Sequence, residues 1–152
     1  MKNASQVTEN ILIAGQPKDI ELQQLHEKGF KTVINLRSED ECGALGHEER
    51  IVEDTGLNYA SIPVSPQTIN ETKVGRFLQA LATKDALPAV VHCGGGGRAG
   101  IMVLLHLAIT QKWSVQQALA QGEEMGIAPS PGSPYRKYFE EYIKQHSAGE
   151  RR

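Results

Sequence analysis

The sequence predicts an α/β fold with a mostly parallel central sheet flanked by helices. Two observations lead there. Short apolar, β-branched runs alternate with helix-patterned segments, at a spacing that suits strand, crossover helix and next strand. Glycine and proline punctuate the boundaries between them. With 152 residues, 39% hydrophobic and 22% charged, the chain has room for one domain, assigned to residues 1–152, with a real core.

ILIAG, residues 11–15, is apolar and glycine-ended, and reads as the first strand. Pro17 suits the first turn of a helix whose apolar side carries Ile20, Leu22 and Leu25 and which stops at Gly29. KTVINLR, residues 31–37, reads as a buried strand. The polar stretch after it is helical in its second half, to Gly56. YASIPV, residues 59–64, is a third strand, cut by Pro66. Asn70 then caps a helix with Val74, Phe77, Leu78 and Leu81 on one side. PAVVHC, residues 88–93, is the fourth strand. Residues 99–110 form an almost wholly apolar helix, expected to be buried. Helices at 115–125 and 135–146 follow, joined by the breaker-rich GIAPSPGSP, read as a plain connector. Trp113 is expected to pack as an anchor.

Composition narrows the function. A net charge of -2 gives no basic excess for nucleic acid or an anionic membrane surface. No apolar stretch reaches the length of a membrane span. The N-terminus lacks the long apolar segment of a signal peptide, so a cytoplasmic location is expected. Two cysteines, Cys42 and Cys93, are too few for a disulfide framework. An idle surface thiol is the preferred reading of Cys42 over a regulatory disulfide with Cys93. His26, His47, His106 and His146 show no metal-ligand spacing, and no metal or organic cofactor is expected.

In parallel sheets, ligands bind beyond the carboxyl ends of the strands. That rule gathers Gly15 and Gln16, residues 37–41, 65–70 and 93–98 on one rim. The last of these carries the chemistry. Between VVH and AGIMVLL lie Cys93, four consecutive glycines (Gly94, Gly95, Gly96, Gly97) and Arg98. Glycines let a backbone curl its N–H groups inward, and the helix start adds free donors and a favourable dipole for an anion. Arg98 supplies a planar fork for two oxyanion oxygens. A thiol in such a setting has its pKa lowered to roughly 3.5–7.5, so a thiolate is expected at neutral pH. A nucleophilic sulfur facing a cradled oxyanion suits covalent phosphoryl transfer. The plainer reading, a tight turn beside an inert buried cysteine, explains neither the conjunction nor the entropic cost of four glycines.

HCGGGGRAG resembles the signature loop of cysteine-dependent protein phosphatases. With ILIAGQP, GFKTVINLRSEDE and YASIPV before it, the chain is similar to the bacterial dual-specificity-like phosphatases related to the beta-lactamase hydrolase-like domain. The likeness covers residue 11 to about residue 107. It implies a cysteine-phosphatase-like fold, Cys93 as a nucleophile passing through a phosphocysteine, and Arg98 as phosphate clamp. It further implies that His92 orients the loop and tunes the thiol, with Gly94 to Gly97 and Ala99 around the substrate.

Three departures bear on mechanism. The loop has four residues between Cys93 and Arg98 where five are usual, a length shared with rhodanese-type sulfurtransferases. Ala99 replaces the usual Ser or Thr, whose hydroxyl stabilises the departing thiolate. Residues 65–70 contain no Asp to act as general acid. Glu71 is the nearest carboxylate, though there a charge also serves simply as a favourable helix N-terminal residue. Asp40, after the VINLR strand, is a further candidate. Arg37 points to the same rim as a substrate-binding residue, unless it pairs with Glu39 or Glu41. The expected function is hydrolysis of a phosphate monoester on a phosphorylated protein or small molecule. The alternatives are sulfur transfer through a Cys93 persulfide, and a phosphate- or phosphoprotein-binding module with weak turnover.

Overall fold

The computed structural model describes residues 1–38 and 40–146. Glu39, weighed above as a partner of Arg37, lies outside the described residues. Two compact units divide at Ala99 and Gly100.

The first unit holds one five-stranded sheet in the order β1-β2-β5-β3-β4. The strands are β1 Ser5–Thr8, β2 Ile11–Ala14, β3 Thr32–Asn35, β4 Asn58–Ser61 and β5 Ala89–His92. β2, β5, β3 and β4 run parallel, as expected, and β1 adds antiparallel at the edge. Three helices belong to this unit: α1 Asp19–Gln24, α2 Glu48–Asp54 and α3 Glu71–Ala82. The strand register sets Leu12, Val90, Val33 and Tyr59 side by side across the sheet. Alternation places all four on one face. Leu22 of α1, Leu25 just past its end and Val52 of α2 close over that face in one apolar cluster. Truncating a fully buried Leu22 or Leu25 to alanine costs about 2–5 kcal/mol. The opposite face carries Ile13, Val91 and Ile34, all buried. Asn70 caps α3, its side chain accepting from Lys73 N–H at 2.9 Å. Val74, Phe77 and Leu81 of that helix are buried, with Leu78 half-buried.

The differences from expectation are local. β1, SQVT, has no apolar alternation beyond one valine, and its pairing with β2 is what makes it a strand. Pro17 precedes the N-cap residue Lys18 rather than entering the first turn. Ile20 does not join the apolar side of α1 and is 56% exposed. The third strand stops at Ser61, short of Val64.

α4, Gly97–Gln111, begins at the end of the first unit and continues into the second. α5 Val115–Met125 and α6 Arg136–His146 complete the second unit. α5 starts with a reciprocal cap between Ser114 and Gln117 and ends at Gly126 in the left-handed region. A Cβ on Gly122 would overlap Leu104 of α4 and Ala128, so glycine lets α4 and α5 approach closely. Among the described residues, no helix is long and apolar enough to cross a membrane.

Candidate active site

Three parallel strands deliver their carboxyl ends to one place. Cys93 N–H, directly after β5, bonds to Ala14 O of β2 at 3.2 Å. On the other side, Leu36 N–H after β3 bonds to His92 O at 2.9 Å. Cys93 is thereby fixed between two neighbours, and it is 1% exposed.

The first two glycines of the loop turn their carbonyls outward. Gly94 O accepts from Gln16 N–H at 3.2 Å, and Gly95 O accepts from the Asn3 side-chain amide at 2.9 Å. Gly96 has φ of 100°, a left-handed value that favours glycine. In that conformation Gly96 N–H donates to Cys93 Sγ at 3.0 Å. A Cβ on Gly94 would lie 3.5 Å from Arg98 Nη2 and 3.7 Å from the Arg37 guanidinium, so any longer side chain there would meet two cations. Gly15 serves the loop from outside, because a Cβ on it would come within 2.8 Å of Gly94 O. Gly95 and Gly97 have open space around them, so their identity is not set by crowding.

Arg98 is held on both sides. Its Nη1 and Nη2 donate to the two oxygens of Glu41 at 2.8 and 2.9 Å, a bidentate charge-assisted pair. Nη1 also donates to Val64 O at 3.0 Å, which brings in the segment after β4. Glu41 further accepts from Arg37 Nε at 3.1 Å and from Ser38 N–H at 3.1 Å. The Arg98 hydrogen bonds pull the Glu41 carboxyl down from 4.5 to about 2; burial opposes this, and Ser38 N–H and Arg37 add to it. Arg37 itself is 6% exposed and donates to Gln16 Oε1 at 2.9 Å, to Gly43 O at 3.2 Å and to Cys42 O.

Behind the cysteine, His92 continues the face of Val90 and so points to the side where α2 packs. There its Nε2 meets Glu48 Oε2, at the first residue of α2, at 2.5 Å. Both side chains are buried, at 0% and 2% exposure. Gln16 Nε2 donates to the other Glu48 oxygen at 2.9 Å. A cavity of about 320 Å³ opens beside Arg37 and Glu48, lined also by Asn35, His47 and Tyr59. No residue of the glycine loop lines it, so it is not the pocket for the sulfur.

The strand-end rule therefore gathers Cys93, the four glycines, Arg98, Ala99, Arg37 and His92 around one loop. Asp40 sits on an exposed turn, accepting from the Ser38 hydroxyl at 2.6 Å. Glu71 is the exposed first residue of α3. Ser65 and Thr68 bond to each other through their hydroxyls at 2.8 Å. Cys42 is exposed and reduced. Among the described residues, no group of three or more His, Cys, Asp or Glu could hold a metal ion. Glu48 and Asn3 complete the site without having been foreseen as its parts; Gln16 was placed only on the rim, and Glu41 only as a partner of Arg37, a pairing that forms at 3.1 Å. For Gln16 and Glu41 the signal was present, since both lie on the rim stretches.

Residues 2–132 match the family described as DSP-PTPase phosphatase fused to NAD+ kinase. The beta-lactamase hydrolase-like protein of Agrobacterium fabrum is 36% identical over 109 residues, covering 70% of this chain and 25% of that protein. Its counterpart in Xylella fastidiosa is 29% identical over 124 residues, covering 80% and 28%. The chain thus spans about a quarter of the length of these curated relatives. Among solved structures, PTPMT1 in complex with PI(5)P superposes with a TM-score of 0.79 at 18% identity, covering 96% of this chain and 97% of that one. The catalytic core of the PP-IP phosphatase SIW14 from S. cerevisiae gives 0.70 at 19% identity, covering 95% and 85%. At those identities the likeness is one of fold. With the family match running from Lys2 through the cysteine loop and beyond, the chain belongs to the bacterial cysteine-phosphatase family of the DSP-PTPase kind.

Proposed function

We propose that this chain hydrolyses phosphate monoesters through a cysteinyl-phosphate on Cys93. The observation that carries the reading is the Gly96 N–H aimed at Cys93 Sγ at 3.0 Å, inside a loop whose first two glycine carbonyls face away. In the first step the Cys93 thiolate attacks phosphorus. The S–P bond forms, the ester P–O bond breaks, and the electron pair leaves on the alcohol or phenol oxygen. In the second step water attacks phosphorus, the S–P electrons return to sulfur, and orthophosphate departs. Arg98, oriented by Glu41, holds phosphoryl oxygens in both steps. The Gly96 N–H stabilises charge on sulfur in the second step, where the hydroxyl missing at Ala99 would have acted.

Proton delivery to the leaving group is the weak part of the machinery. Glu41 is nearest to the clamp, but a carboxyl held at about 2 carries no proton to give at neutral pH. Asp40 and Glu71 are the carboxylates left to test. The cavity beside Arg37 lies outside the loop and sets no substrate class.

A turnover panel on one preparation tests the reading, with Cys93→Ser as control. It comprises p-nitrophenyl phosphate, phosphopeptides, PI(5)P, an inositol pyrophosphate, the 2′-phosphate of NADP+ and thiosulfate. The phosphoinositide and the pyrophosphate follow from what the two structural neighbours bind or hydrolyse. NADP+ follows from the kinase named in the family description. Hydrolysis of at least one ester, lost in Cys93→Ser, is expected. Sulfur transfer from thiosulfate with no ester hydrolysis would establish the sulfurtransferase alternative instead.

A further inference from the structure

We infer that Glu48 is a positioning residue for the cysteine loop, acting through His92, with which it shares a single proton. The catalytic part rests on Cys93 being the nucleophile; the proton assignment does not.

Donors and acceptors follow one another along a continuous chain of side chains. Arg37 can only donate. Its Nη1 faces one end of the Gln16 amide at 2.9 Å, so that end is the oxygen. The other end is then the NH₂, which donates to Glu48 Oε1 at 2.9 Å. Glu48 Oε1 is therefore an acceptor, and any proton on this carboxyl resides at Oε2, toward His92. At the far end, His92 Nδ1 faces Cys93 O at 3.4 Å. A carbonyl oxygen accepts only, so Nδ1 carries a hydrogen. A long contact makes that bond weak, but the opposite tautomer would set two lone pairs against each other in a fully buried place. Between His92 Nε2 and Glu48 Oε2 there is then one proton, at a separation of 2.5 Å. On the nitrogen it makes an ion pair, and on the oxygen a neutral pair. Either form is neutral overall, which suits two side chains with 0% and 2% exposure.

This proton fixes the histidine, and the histidine is the residue before the nucleophile. Gln16 ties the same network to the loop by a second route, since its own N–H bonds to Gly94 O. Arg37 carries the chain on to Glu41 and so to Arg98. Glu48 thus braces the loop behind the sulfur while leaving the phosphate clamp to Glu41.

The test uses the whole chain, uniformly ¹⁵N-labelled, with long-range ¹H–¹⁵N correlation on the His92 ring, in wild type and Glu48→Gln. Wild type should show Nδ1 protonated and Nε2 protonated or sharing its proton. In Glu48→Gln the new amide donates to Nε2, so Nδ1 should stay protonated while Nε2 becomes bare. With an aryl phosphate, kcat of Glu48→Gln should fall on the order of 10–10²-fold with KM little changed, because misplacement rather than loss of the clamp is the defect. A wild-type ring with bare Nδ1 and protonated Nε2 overturns the proton assignment, whatever the activity and whether or not the variant folds. Unchanged kcat in a folded Glu48→Gln overturns the positioning role. If wild type hydrolyses no ester, the proposed function has failed, and the wild-type spectrum still decides the shared proton.

Discussion

Gly15→Ala puts the loop geometry under a small and calculable load. The added Cβ would lie 2.8 Å from Gly94 O and 3.3 Å from Lys2 O, where ordinary contact starts at 3.4 Å. Both obstacles are backbone, so no flexible side chain can swing away. Most of the 0.6 Å deficit falls on Gly94, the first residue of the cradle. The Gln16 N–H bond to Gly94 O, already 3.2 Å long, is the first to stretch or break. Overpacking of this kind costs about 1–3 kcal/mol, which at roughly 2–4 °C per kcal/mol lowers Tm by about 2–12 °C. A misplacement of about 1 Å can cost ~10²-fold in rate, so a shift of half that size predicts roughly a tenfold loss of kcat. Thermal melting and aryl phosphate kinetics measure the two effects. Gly75→Ala is the control: it lies on α3 with nothing within 4 Å of its Cβ, and should raise stability by about 0.5–1 kcal/mol with activity intact. A Gly15→Ala protein with wild-type Tm and kcat would refute the claim that this close approach shapes the loop.

Three further outcomes are expected. Aryl phosphates should be hydrolysed in preference to alkyl phosphates by about 10²–10⁴-fold, the usual contribution of a general acid; Asp40→Asn and Glu71→Gln should each change aryl turnover only modestly, and a large loss in one of them would identify it as the acid. Inorganic phosphate should protect Cys93 from iodoacetamide while leaving the exposed Cys42 labelled, as read by mass spectrometry of the two peptides; equal labelling with and without phosphate would detach Cys93 from the anion site. Glu41 has its carboxyl lowered in the folded chain, so its bond to Arg98 is fully present above about pH 4.5 and is lost as pH falls toward 2. Acid loss of stability in that window should therefore shrink in Glu41→Gln, followed by pH-dependent melting.

Much of this was legible in the chain. VVHCGGGGRAG reads as strand, cradle and helix because apolar burial and glycine freedom are local properties. The strand-end rule then put Arg37 and Gln16 on the same rim without knowing the strand order. β1 was not legible, since a polar edge strand is defined by its partner. Nor was Ile20, whose place in a helical pattern did not say whether the core reaches it. Glu48 was hidden for a different reason. It stands in GHEERIVED among acidic residues of equal chemistry, and only the face on which α2 packs singles it out to meet His92. Two of the four glycines, Gly94 and Gly96, have a reason in contacts or backbone angle, which is less than the run of four suggested.

Phosphorus is expected to pass through Cys93, and trapping it there is the direct measurement. Wild-type protein mixed with an aryl phosphate and acid-quenched within the first turnovers should carry a phosphoryl group on the peptide containing Cys93, found by mass spectrometry. The adduct should be absent in Cys93→Ser, and it should be removed if the mixture is left to turn over before quenching. With no hydroxyl at Ala99, slowed breakdown and accumulation of the adduct are expected. Ester hydrolysis that survives in Cys93→Ser, or turnover with phosphate found on another residue, would contradict the account.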